Sequence, residues 1–136
     1  MNVLEKLIRF HRYELDAKRR ELRILEEREA AVRNAIGSLD DQVGSERVAA
    51  KQSQAGLSAY GGFARAALDR RADLLAALQA ATQATDAARD AVLDAFAELK
   101  RFEISLDRRR FSELRDRERR EQDVLDEAAI VAHRRR

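Results

Sequence analysis

The chain of 136 residues is 45% hydrophobic and 38% charged but only 5% aromatic, with no Pro, Trp or Cys. The apolar content is mostly Leu, Ala and Val, a composition that points to long helices and away from a wide globular core. Without Cys, disulfides and thiolate chemistry are excluded. The 27 basic and 25 acidic residues leave a net charge of +2 and alternate along the chain, so no one-sign block offers itself to nucleic acid or an anionic membrane surface.

From the N-terminus, Met1-Asn2-Val3-Leu4-Glu5-Lys6 has none of the uninterrupted apolar character of a signal peptide. No apolar run approaches the ~20 residues that span a bilayer. The chain is therefore expected to be soluble and cytoplasmic. Over the first 55 or so residues apolar side chains recur at spacings of three and four. With Ile8 at a, the a positions are Ile8, Leu15, Leu22, Glu29, Ile36, Val43, Ala50 and Leu57, and the d positions are Leu4, His11, Lys18, Leu25, Val32, Leu39, Glu46, Ser53 and Tyr60. A mostly apolar seam sustained over so many heptads predicts a coiled-coil helix over about 2–56. Gly37 and Gly44 fall on its outer face, where small residues are simply tolerated.

The pattern gives way at Gly56-Leu57-Ser58-Ala59-Tyr60-Gly61-Gly62, and adjacent glycines are the best turn signal in the sequence. A turn is therefore expected near 56–63, over about 57–62. A second helix is expected over about 63–132, with a at Leu68, Leu75, Thr82, Arg89, Phe96 and Glu103, and d at Arg71, Leu78, Thr85, Val92, Leu99 and Leu106. Folding back about Tyr60 and Gly61 sets Leu15 against Leu106, Leu22 against Leu99, Leu25 against Phe96, Val43 against Leu78 and Lys18 against Glu103. The expected fold is all-α: one domain, residues 1–136, forming an antiparallel coiled-coil hairpin whose C-terminal helix overhangs from Glu121 onward. Such an overhang could reach ~24 Å at 1.5 Å per residue. A continuous parallel dimer is disfavoured because it sets Lys18, Glu29, Arg89 and Glu103 against their own copies and runs two glycines through a helix interior, at ~1 kcal/mol each.

Chemistry is hard to find. His11 and His133 have no partners at metal-ligand spacing; His11 falls on the seam and His133 on the solvated end. No Gly-rich phosphate loop follows a strand, and two paired helices offer no closed pocket in which to shift a catalytic pKa. No catalytic, cofactor or metal residue is assigned, and no enzymatic activity is expected. Arg108-Arg109-Arg110 and Arg134-Arg135-Arg136 are interleaved with or preceded by Glu113, Asp116, Glu118 and Glu121, unlike a DNA-binding basic region. Leu57, Tyr60 and Phe63 gather at the expected tip, where two helices cannot cover every aromatic.

The segments Leu4-Glu5-Lys6-Leu7-Ile8-Arg9, His11-Arg12 and Leu15-Asp16-Ala17-Lys18-Arg19-Arg20-Glu21-Leu22 resemble the start of FliJ-family proteins, in particular the alphaproteobacterial branch. Ala49-Ala50-Lys51-Gln52-Ser53-Gln54 and the charged stretch from Phe111 to Val124 also fit that family. The resemblance implies a cytoplasmic, stalk-like component of the flagellar type III export apparatus, peripheral to the inner membrane. Its open end would enter the hexameric FliI-like export ATPase, its tip would face the FlhA-like export gate, and export chaperones would be further partners. On this basis Arg9, Arg12, Arg117, Arg120, Val124 and Val131 are expected to meet the ATPase. Leu57, Tyr60, Phe63 and Leu68 are expected to meet the gate, from exposure at the tip alone. The other readings are a coiled coil that self-associates through its C-terminal overhang and, more remotely, a nucleic-acid binder.

Overall fold

The computed structural model describes residues 2–136 and contains two helices, α1 (Val3–Ala50) and α2 (Gln54–Arg134), folded as an all-α hairpin. The start of α1 is fixed by a reciprocal cap. Glu5 N donates to Asn2 Oδ1 at 2.7 Å, and Asn2 N donates back to Glu5 Oε2 at 3.3 Å. Two donors that helix geometry leaves orphaned are thereby satisfied.

The turn lies at residues 51–53 and not at 56–63. α1 closes with Gln52 N donating to the Ala49 carbonyl at 3.2 Å. Ser53 then caps α2, its Oγ accepting from Gly56 N at 2.9 Å. Gly56, Gly61 and Gly62 are all helical, and none has the positive φ that a glycine turn requires. Gly56 answers a different need: a Cβ there would lie 3.0 Å from both the Ala50 carbonyl oxygen and Ser53 Oγ. Glycine lets the first turn of α2 cross the end of α1.

Two compact units make up the chain, Asp16–Asp94 and the pair of segments Met1–Leu15 and Ala95–Arg136. In the first, the seam of α1 follows the expected heptads, while α2 buries Ala67, Leu74 and Thr85. Leu68 and Leu75, expected in the seam, are 68% and 43% exposed. The a positions of α2 thus fall one residue earlier than expected, which puts Ala81 and Ala88 toward the seam in place of Thr82 and Arg89. Thr85 is completely buried, donating to the Ala81 carbonyl at 3.0 Å with the Leu25 carbonyl across the seam at 3.4 Å. Small side chains here bring the second helix within hydrogen-bond reach of the first helix's backbone.

Register departs from expectation too. Asp40 accepts from Arg71 at 2.9 Å, and Thr82 donates to Glu29 at 3.2 Å. Each α2 partner lies ten residues nearer the turn than a fold about Tyr60 and Gly61 dictates. Arg89 meets Glu26 at 3.9 Å, while Glu29 is held by Arg33 at 2.8 Å.

In the other unit Ile8, Leu15, Leu99 and Leu106 are buried. The His11 ring stacks on Phe102 at 4.7 Å and 17°, which places it on the seam as expected. Arg12, not Lys18, pairs with Glu103 at 3.5 Å, a slip of six residues; Arg110 meets Glu5 at 3.3 Å. Beyond Leu106 every residue of α2 is exposed. With Arg110 already opposite the first turn of α1, the overhang starts about ten residues before Glu121.

Candidate partner-binding surfaces

The tip is built from the last turns of α1 and the first turns of α2. Gln42, Glu46, Ala49, Ala50, Gly56, Ala59, Tyr60 and Phe63 line an open groove of about 440 Å³. Arg47 Nε donates to Tyr60 Oη at 3.3 Å, tying the phenol to α1. The Tyr60 and Phe63 rings lean together with centroids 6.2 Å apart, and both are half-buried. Of the four residues expected at the tip, the structure therefore brings Tyr60 and Phe63 together. Leu57 is 56% exposed and Leu68 lies further along on an outward face; neither lines the groove. Val48, 63% exposed near the end of α1, was not singled out from the sequence. It belongs to no seam position, and a lone valine beside an unrecognised turn gives no signal.

At the open end Glu5, Ile8, Arg9, Arg12, Glu103, Leu106, Asp107 and Arg110 line a groove of about 570 Å³. Apolar Ile8 and Leu106 form its floor, and charges of both signs form its walls. The groove is electrostatically committed: Glu103 takes both Arg12 and Lys100, the latter at 3.1 Å, and Glu5 takes Arg110. The Lys100 hydrogen bond holds the Glu103 carboxyl below the ordinary glutamate value, opposed by partial burial and reinforced by the Arg12 charge. Further out Glu113, Arg117, Arg120, Glu121 and Val124 line a second groove, and Val124, Ala128, Val131 and Ala132 contribute to a third. The expected residues Arg117, Arg120, Val124 and Val131 thus form a continuous exposed face of α2, while Arg9 and Arg12, on α1, line the open-end groove.

A further surface escaped the sequence reading. Val3, Leu7, Phe10 and Tyr13 are 73%, 36%, 55% and 65% exposed. The first three follow the i, i+4, i+7 spacing of one helix face, away from the Ile8 and Leu15 seam. That spacing was readable, but the stronger heptad beside it masked it. Among the described residues no group of three His, Cys, Asp or Glu side chains could hold a metal, and no helix is long and apolar enough to cross a membrane. These surfaces can recognise partners by mixed charge and apolar contact. No family model, curated protein or solved structure matches the chain.

Proposed function

We propose that the chain is a non-enzymatic, stalk-like component of a flagellar type III protein export apparatus, acting on the cytoplasmic side of the inner membrane. It couples a FliI-like ATPase hexamer to an FlhA-like export gate and escorts export chaperones. The observation that carries this reading is the inequality of the helices: α2 has 81 residues and α1 has 48, and the excess is exposed helix bearing Arg117, Arg120, Val124 and Val131. A helical end showing charge of both signs beside apolar side chains suits the polar loops of a ring. The half-covered aromatics Tyr60 and Phe63 suit a separate partner at the tip.

The test is to add purified chain to the export ATPase hexamer and measure turnover. Full-length chain should stimulate hydrolysis, and a chain ending at Arg110 should not. The shortened chain keeps every buried side chain and should remain folded. Equal stimulation by the two chains would refute the placement of the ATPase contact. A second reading, self-association through the overhang, draws on exposed Val124, Leu125, Ile130 and Val131. It requires a concentration-dependent dimer in sedimentation that the Arg110 truncation abolishes.

A further inference from the structure

The overhang poses a physical problem that the hairpin does not. From Phe111 to Arg134 the backbone is helical, yet every side chain is exposed and no second helix among the described residues covers it. Most helices gain their stability from an apolar face packed on something else. This one has a different resource. Opposite charges stand four residues apart at Arg109 and Glu113, Glu113 and Arg117, Asp116 and Arg120, Arg117 and Glu121, and Arg119 and Asp123. The first pair is closed at 3.3 Å. Gln122 donates to Asp126 at 3.0 Å, four residues on, and the Arg115 guanidinium lies 5.8 Å from the Phe111 ring centroid. In two pairs the acid precedes the base, the more favourable order. His133 and Arg134 close the helix with positive charge against the negative end of its dipole.

We infer that the overhang is a self-supporting single helix, held by ion pairs between its own successive turns and therefore sensitive to ionic strength. The inference does not depend on the export reading. Each pair biases its turn toward helix by roughly twofold at best, so five together reach about thirtyfold, and about tenfold is a realistic expectation. Cooperation along the segment matters because no single pair suffices. Salt is the specific antagonist, since at ~1 M the screening length falls to ~3 Å.

Hydrogen–deuterium exchange on the full chain, read by mass spectrometry, tests this directly. At low salt, amides in the segment from Ser112 to Ile130 should exchange about tenfold more slowly than unstructured chain. At ~1 M NaCl that protection should fall several-fold, while amides around Leu74 and Thr85 keep theirs. Glu113→Lys breaks two pairs at once and should reduce protection at low salt. The quadruple variant R109E/E113K/R117E/E121K reverses all four charges, keeps Arg109–Glu113, Glu113–Arg117 and Arg117–Glu121 opposite in sign, and should restore it. Exchange at unstructured rates at low salt would overturn the inference, as would protection indifferent to both salt and Glu113→Lys. Protection that rises with protein concentration would also overturn it, since the segment would then be held by a second copy.

Discussion

Gly56 and the Gly61-Gly62 pair make opposite predictions from the same substitution. A Cβ on Gly56 meets the Ala50 carbonyl oxygen and Ser53 Oγ at 3.0 Å and Ala50 Cα at 3.2 Å, whereas one on Gly61 or Gly62 meets nothing within 4 Å. Two of the three obstacles are backbone atoms of α1, so relief must shift the turn itself. The third is the oxygen that caps α2, whose loss costs ~1 kcal/mol. Overpacking of this kind costs ~1–3 kcal/mol, and the gain from replacing a helical glycine is at most ~1 kcal/mol. G56A should therefore destabilise the hairpin by about 1 kcal/mol, lowering the melting midpoint by roughly 3–5 °C for a chain of 136 residues. G61A and G62A should each stabilise by about 0.5–1 kcal/mol, because their helical backbone accepts alanine without contact. Thermal melts followed at 222 nm compare the three variants with the parent. A glycine turn at Gly61-Gly62 reverses the signs. G56A melting at or above the parent, with either of the other variants melting below it, would refute both the turn position and the close approach.

Thr85→Leu places the residue that heptad logic favours at a d position, yet it should destabilise by ~1–3 kcal/mol, since the Leu25 carbonyl stands 3.4 Å from the Thr85 hydroxyl. A urea midpoint equal to or above the parent's would show the seam has room that the structure denies. Stability should also fall on acidification. The Arg33 hydrogen bond holds Glu29 below its ordinary value of 4.5, opposed by burial and helped by Thr85 and Thr82; Glu103 is held below the same value chiefly by Lys100. Depressed carboxylates stabilise the fold fully above the unfolded value, and that contribution is lost as pH falls through the folded one. The melting midpoint should thus decline below about pH 4.5, and less steeply in E29Q/E103Q. Parallel pH profiles for parent and variant would remove both glutamates from the account.

The existence and order of the two helices, and the seam of α1 as far as Val43, were legible because Ile8, Leu15, Leu22, Leu25 and Val32 are large and regularly spaced. Three things were not. The phase of α2 was misjudged because Leu68 and Leu75 draw attention as core residues while Ala67, Ala81 and Ala88 read as neutral. The corrective was nevertheless present: moving the a positions back one residue exchanges Arg89 and Glu103 for Ala88 and Phe102. The turn was misplaced because glycine is usually read as conformational freedom, and here its use is to let two backbones cross. Ser53, a good cap, was absorbed into the heptad of α1. Register then followed the turn, since sliding one coiled-coil strand by about a heptad leaves apolar positions facing apolar positions. Only polar contacts such as Arg12 with Glu103 and Asp40 with Arg71 distinguish the alignments. Of the candidate surfaces, Arg9 and Arg12 line the open-end groove, while Arg117 and Arg120 lie on the overhang and not beside the start of α1 where the expected register had them. The tip set was divided, because Leu68 belongs to the outer face that the phase error concealed.

The alanine-and-threonine stretch of α2 has a mechanical consequence. Close approach sets the distance between helices tightly, because backbone and a buried hydroxyl define it. Cohesion is another matter: Ala81, Thr85 and Ala88 remove far less apolar surface from water than leucines in their places, so each turn of contact is held by little free energy. The pair is accurately spaced but lightly glued at this point. Separation of the two helices over a few turns, for insertion of a partner or relief of torsion, should begin there and spare the leucine-bearing seam at Leu74.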